Sequence, residues 1–105
     1  MFSKKKPTVD LVIPVYNEVG VVEQTHARIS AVLDGLPYDF HFIYVNDGSR
    51  DGTADSLSTL AARDPRVTPL SLSRNFGHQA ALTAGLDAST ADVVITMDGD
   101  GQHPP

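Results

Sequence analysis

Phe40-His41-Phe42-Ile43-Tyr44-Val45 runs into Asn46-Asp47-Gly48-Ser49-Arg50-Asp51-Gly52-Thr53, and Ala54, Leu57, Leu60 and Ala61 follow at helical spacing. A short run rich in aromatic and β-branched residues, a polar turn with glycines and an amphipathic segment predict strand, loop and helix in succession. The same change of period recurs on both sides. Upstream, Val9-Asp10-Leu11-Val12-Ile13 predicts a strand, and Val22, Ile29, Leu33 and Leu36 a helix. Downstream, Val67 to Leu72 predicts a third strand and Val93-Val94-Ile95-Thr96-Met97 a fourth, buried one. Between those two, an Ala-rich stretch from about His78 to Ala88, with Leu82 and Leu86, suits a helix packed close to a sheet.

The resulting order, βαβαβαβ, implies right-handed crossovers and a doubly wound, mainly parallel α/β sheet covered on both faces. Pro69 has no N–H to give to a ladder, which puts the third strand at an edge and makes the expected order 3-2-1-4. The fourth strand would then lack a further neighbour and leave an apolar edge, so marginal stability and self-association are expected. Residues 1–7 form a polar tail and 8–105 one domain or part of one.

With 105 residues, 41% hydrophobic and 20% charged, the chain suffices for one core and not for two. A net charge of -5 argues against nucleic acid as a partner, because duplex affinity comes largely from Lys and Arg on phosphates. Lys4-Lys5-Lys6 is a short cluster of the kind that attracts an anionic membrane or simply solvates a terminus. The absence of Cys removes disulfides and thiolate metal sites. No apolar run approaches a membrane span and no signal peptide is visible, so a cytoplasmic location is expected.

Ligands of open α/β sheets bind beyond the carboxyl ends of the strands, where strand order reverses. Four polar loops lie there: Pro14-Val15-Tyr16-Asn17-Glu18, the Asn46 to Thr53 loop, Ser73-Arg74-Asn75-Phe76-Gly77, and Asp98-Gly99-Asp100-Gly101-Gln102. An extended backbone puts Asp98, Asp100 and Gln102 on one side, a set of hard oxygen donors suited to Mg²⁺ or Mn²⁺ beside a diphosphate. The plainer reading is a polar turn at a strand end. Asp47 has two readings, as an acceptor for the N–H groups of a nucleobase or as the residue that orders its own turn. Helix capping falls to Asp51 or Thr53.

Tyr16, Asn17 and Glu18 open the first helix, where backbone N–H groups favour anions and a tyrosine ring can stack on a base or ribose. Arg74 suits a phosphate, or an ion pair with a neighbouring carboxylate. His26 is expected on a helix surface and His41 on the surface or half-buried. His78 and His103 fall near the site, the latter with a loop role. Two other readings fail on the motif's context. A dehalogenase-type phosphohydrolase needs its D-x-D on the first strand, and an EF-hand needs Gly where His103 stands.

Taken together, Val12 to Glu18, Val45 to Thr53, Ser73 to Gln79 and Asp98 to Pro105 resemble the family 2 glycosyltransferases of GT-A fold, particularly the polyprenol- and dolichol-phosphate sugar synthases. The resemblance implies that Pro14, Tyr16, Asn17, Glu18, Arg74 and Asp98 border a nucleotide and that Asp47 binds its base. It also implies that Asp98 and Asp100 act in catalysis and, with Gln102, surround a divalent metal. The donor would be a nucleotide-sugar of the GDP-mannose or UDP-glucose type. The acceptor would be a lipid phosphate or glycan at the cytoplasmic face of a membrane, reached through a C-terminal part that this chain lacks. Gly101 stands where the family more often has leucine, which loosens the expected metal loop. As a truncated piece the chain is expected to bind nucleotide, with turnover belonging to a longer parent; a non-catalytic nucleotide-binding module is the competing reading.

Overall fold

A computed structural model describes residues 6–97. The chain runs β1 (Thr8–Val15), α1 (Val22–Leu33), β2 (Asp39–Asn46), α2 (Thr53–Arg63), β3 (Val67–Ser71), α3 (His78–Ala88) and β4 (Val93–Thr96). All strand pairs are parallel and the sheet order is β3-β2-β1-β4. The proline-bearing β3 therefore takes the edge that its missing N–H predicts.

Alternation along the strands sorts the core into two layers. Val9, Leu11, Ile13 and Val15 of β1 join Phe42 and Tyr44 of β2 under Val22, Leu57 and Leu60 of α1 and α2. On the other face Val12, Ile43 and Val45 meet Ala81 of α3. Gly85 lets α3 come close there, since a Cβ on it would fall against Cγ1 of Val12. The inward stripe of α3 is thus Ala81 and Gly85, and Leu86, expected to pack, faces out at 46% exposure.

Three further expectations are corrected. The first helix stops at Leu33 with Asp34 as its C-cap, ahead of Gly35 and Pro37, so Leu36 lies beyond it and is exposed. β4, at the edge expected for it, is not the buried strand its apolar run predicts: Val93 and Ile95 continue the buried row of Val9 and Leu11 yet stay 47% and 45% exposed, with no helix over that face among the described residues. His26 is not on the helix surface. It is 5% exposed and packs edge-on against Phe42, with ring centroids 4.5 Å apart.

His41 stands on the surface end of its strand, with Nδ1 3.8 Å from Oδ1 of Asp10. Asp10, buried within the central β1, also accepts a 2.6 Å hydrogen bond from the Ser89 hydroxyl just past α3. Among the described residues no helix is long and apolar enough to cross a membrane.

Candidate functional site

Parallel register brings the carboxyl ends of the strands together. Val15 pairs with Asn46, and Asn46 with Ser71, so the loops after β1, β2 and β3 leave the sheet side by side. Met97, the residue after β4, donates its N–H to the Val12 carbonyl of β1 at 3.0 Å. Strand order reverses between β1 and β4, with α1 and α2 on one face and α3 on the other.

The first two loops are laced by side chains acting on backbone. The Asn17 N–H donates to Ser49 Oγ at 2.9 Å, and Asn17 Oδ1 in return accepts from the Arg50 N–H at 2.8 Å. Asn17 holds φ at 51°, a left-handed conformation that asparagine tolerates better than most residues. The Glu18 N–H donates to Thr53 Oγ1 at 2.8 Å, while Glu18 Oε1 accepts from the Tyr16 N–H at 2.9 Å. Within the second loop Asn46 Oδ1 accepts from the Ser49 N–H at 3.0 Å.

Capping of α2 is shared. Gly52 holds the N-cap position without a side chain, and Asp51 accepts from the N–H and the hydroxyl of Thr53 and from the N–H of Val19. The Thr53 hydroxyl bond, ahead of those backbone donors, lowers the Asp51 carboxyl below its ordinary range. Of the two residues expected to cap, Asp51 thus acts from one position before the N-cap and reaches across to the first loop as well, while Thr53 is the first residue of the helix.

The third loop is tied to the second through Asp47. Its carboxylate accepts from the Phe76 and Gly77 N–H groups and from the Asn75 side chain. Arg74 forms no ion pair among the described residues; its guanidinium lies 4.8 Å over the Phe76 ring. Tyr16, Asn46, Ser49, Arg50, Arg74 and Asn75 line a cavity of about 460 Å³ between these loops. Tyr16, which lines the cavity, is 41% exposed, and Phe76, whose ring carries the Arg74 guanidinium, is 49% exposed.

Of the residues expected at a nucleotide, Tyr16 and Arg74 line this cavity, whereas Asn17 and Glu18 are tied by their N–H groups to Ser49 and Thr53 and, like Pro14 of β1, do not line it. Asp98, Asp100, Gln102 and His103 lie outside the described residues. Among the described residues no group of three or more His, Cys, Asp and Glu is arranged to hold a metal ion. Asn17, expected at the nucleotide, and Ser49 and Asn75 are the groups whose side chains join the loops, a role that depends on partners distant in sequence.

A parallel 3-2-1-4 sheet carrying its polar loops in this way is the GT-A, Rossmann-like form of the glycosyltransferase fold. The chain belongs to glycosyl transferase family 2, whose family model matches residues 10–105. It is 41% identical over 95 residues to the uncharacterized glycosyltransferase YkcC of Bacillus subtilis (strain 168), covering 90% of this chain and 29% of that protein. It is 42% identical over 96 residues to the bactoprenol glucosyl transferase of Shigella phage SfX, covering 91% of this chain and 32% of the relative. Among solved structures, the Pyrobaculum calidifontis mannosyltransferase PcManGT, in complex with GDP-Man and Mn²⁺, superimposes with a TM-score of 0.78 at 25% identity, covering 95% of this chain and 29% of the other. The chain thus spans about a third of the length of the relatives it matches.

Proposed function

We infer that this chain carries the donor-binding part of a glycosyltransferase that moves a hexose from a nucleotide-sugar, of the GDP-mannose or UDP-glucose type, to a polyprenyl phosphate. The observation that carries this reading is the cavity between the joined loops. It offers an aromatic ring at Tyr16, guanidinium groups at Arg50 and Arg74 and several hydroxyl and amide groups at the carboxyl edge of the sheet. Such a set suits a base or ribose beside a diphosphate. The names of the relatives support the acceptor class, since one acts on bactoprenol and another on undecaprenyl phosphate.

In this reading Pro14, Tyr16, Asn17, Glu18 and Arg74 border the nucleotide. Asp98, Asp100 and Gln102, which follow β4 where Met97 is held to Val12, would hold Mg²⁺ or Mn²⁺ with hard oxygen donors. Such an ion supplies charge neutralisation for a departing nucleoside diphosphate. The chain's own contribution is to orient the donor against a wall that is already rigid, so that little order has to be created on binding. The acceptor oxygen would attack the anomeric carbon from the face opposite the leaving diphosphate, and the acceptor-side groups belong to a longer parent. The parent would work at the cytoplasmic face of a membrane.

Calorimetric titration with UDP and with GDP, with and without Mn²⁺, tests this reading. Metal-dependent binding of either nucleotide, abolished by Asp98→Ala, is the expected result. Binding that ignores both the metal and Asp98→Ala would favour the non-catalytic nucleotide-binding module, and no binding by the folded chain would remove the donor site altogether.

A further inference from the structure

β4 has little in its own residues to fix where it sits. Val93-Val94-Ile95-Thr96 are all β-branched, and among the described residues β1 is their one strand partner. Val93 and Ile95 are half exposed on one face, and Val94 is only partly buried on the other. Register is strongly specified where one face of a strand is buried and weakly where neither is; a slip of one residue moves the strand by about 3.3 Å and turns every side chain to the opposite face. Here a slip would set Val93 or Ile95 opposite Asp10 in place of Val94, at little cost in burial. It would shift the chain that continues from Met97 into Asp98 by the same step.

The register is fixed instead at the amino end of the strand. Thr8 and Asp92 exchange hydrogen bonds: the Thr8 N–H donates to Asp92 Oδ2 at 3.1 Å, and the Asp92 N–H donates to Thr8 Oγ1 at 2.9 Å. The Ser89 hydroxyl, at the C-cap of α3, donates to Asp10 Oδ2 at 2.6 Å, and its oxygen accepts from the Ala91 N–H at 3.4 Å. Asp10 is 7% exposed in a central strand, where a carboxylate needs a donor, and Ser89 supplies one. Thr8 and Asp10 both belong to β1, so the turn that feeds β4 is tied to the neighbouring strand at two points.

We propose that Thr8, Asp10, Ser89 and Asp92 form a register lock: from the amino end of β4 they set where its carboxyl end delivers Asp98 and Asp100. This rests on the reading of those two aspartates as metal ligands. None of the four lines the cavity between the polar loops, so they are positioning residues. They act through the strand alone, which is bracketed by the Thr8–Asp92 pair at one end and by the Met97 N–H on the Val12 carbonyl at the other.

The experiment compares a released variant, Thr8→Val with Ser89→Ala and Asp92→Ala, with a conservative one, Thr8→Ser with Asp92→Asn, which keeps both acceptor oxygens. Three quantities are read: amide hydrogen exchange at Met97, cross-strand nuclear Overhauser contacts between Leu11 and Ile95, and affinity for Mn²⁺ titrated alone, with Asp98→Ala as the reference for a lost metal site. The Phe42 N–H, which donates to the Arg66 carbonyl on the other side of the sheet, is the control amide. In the released variant exchange at Met97 should accelerate about tenfold or more, as expected for several lost hydrogen bonds, while Phe42 is unchanged. The Leu11–Ile95 contacts should weaken, and Mn²⁺ affinity should fall by roughly tenfold or more, the scale on which outer partners of a metal site act. The conservative variant should stay within about twofold of the native chain in exchange and affinity.

Native exchange at Met97 and intact Leu11–Ile95 contacts in the released variant would overturn the proposal. So would equal acceleration at Phe42, which marks a general loss of stability, or native Mn²⁺ affinity in a variant whose register has shifted. Failure of the native folded chain to bind Mn²⁺ would sink the metal reading itself, and exchange and cross-strand contacts would still decide whether the lock sets the register. If the released variant does not fold, Thr8→Val with Asp92→Ala, which spares the bond between Ser89 and the buried Asp10, takes its place under the same criteria.

Discussion

Nε2 of His26, on α1, stands 2.9 Å from Oδ2 of Asp64 at the C-cap of α2, and Nδ1 of the same ring lies 2.7 Å from the Tyr44 hydroxyl of β2. One imidazole thus joins two helices and the sheet beneath them. The pattern is consistent when Nε2–H donates to the carboxylate and Nδ1 accepts from the phenol. Burial first, and then the Asp64 charge, pushes the Tyr44 hydroxyl well above its ordinary ionisation, so it remains a donor.

His26→Ala would leave a buried phenol without its acceptor and open a void beside Phe42. The expected cost is about 2–4 kcal/mol, combining cavity formation with a lost buried hydrogen bond. Urea denaturation of the variant measures it; a loss below about 1 kcal/mol would mean the network adds little beyond packing.

Stability should fall in acid through Asp64. Hydrogen bonds from Arg66, and after them the His26 bond, overcome desolvation and hold its carboxyl far below the usual carboxylate range. A depressed folded pKa means that the stabilisation is complete above the unfolded value of about 4 and is lost as pH falls below it toward the folded one. Thermal melts from neutral pH down to about 3 should therefore show a steeper acid decline for the native chain than for Asp64→Asn. Parallel curves would contradict this.

Gly48→Ala combines a left-handed backbone with a Cβ driven into the Arg74–Asn75 peptide. It should destabilise by at least about 2 kcal/mol, since strain at positive φ and overpacking each cost on the order of 1–3 kcal/mol. Gly35→Ala, at a glycine with open space around it, is the control and should stay within about 0.5 kcal/mol of the native chain. Equal effects in chemical denaturation would show that the loop junction yields easily.

The uncovered face of β4 should drive association. Val93 and Ile95 together extend an otherwise buried row into solvent. Replacing both by Thr keeps β-branching and removes apolar area, so sedimentation velocity should shift toward monomer while the melt changes little. Unchanged association would place the sticky surface elsewhere.

Much of this was legible in the residues. Short apolar runs rich in β-branched and aromatic residues located the strands, and helical spacing or an Ala-rich stretch the helices, to within a few positions, because strands of a parallel sheet are buried on both faces and helices on one. Pro69 declared its edge for a local reason, the missing N–H. His26 shows where reading stopped short. It occupies the inward stripe with Val22, Ile29 and Leu33, yet as a polar side chain it was placed outside; only the approach of Tyr44 and Asp64, distant in sequence, makes its burial affordable.

The sequence by itself determined the class of fold and the end of the sheet where polar loops gather, since both follow from hydrophobic period and from the type of residue after each strand. Which polar group meets which was decided by the tertiary structure alone. Asp47 offers the same two oxygens to a base or to a backbone in any reading of the chain. Parallel packing of β2 against β3 brings the N–H groups of Phe76 and Gly77 within hydrogen-bond distance of that carboxylate, a meeting of residues some thirty positions apart that no local pattern encodes.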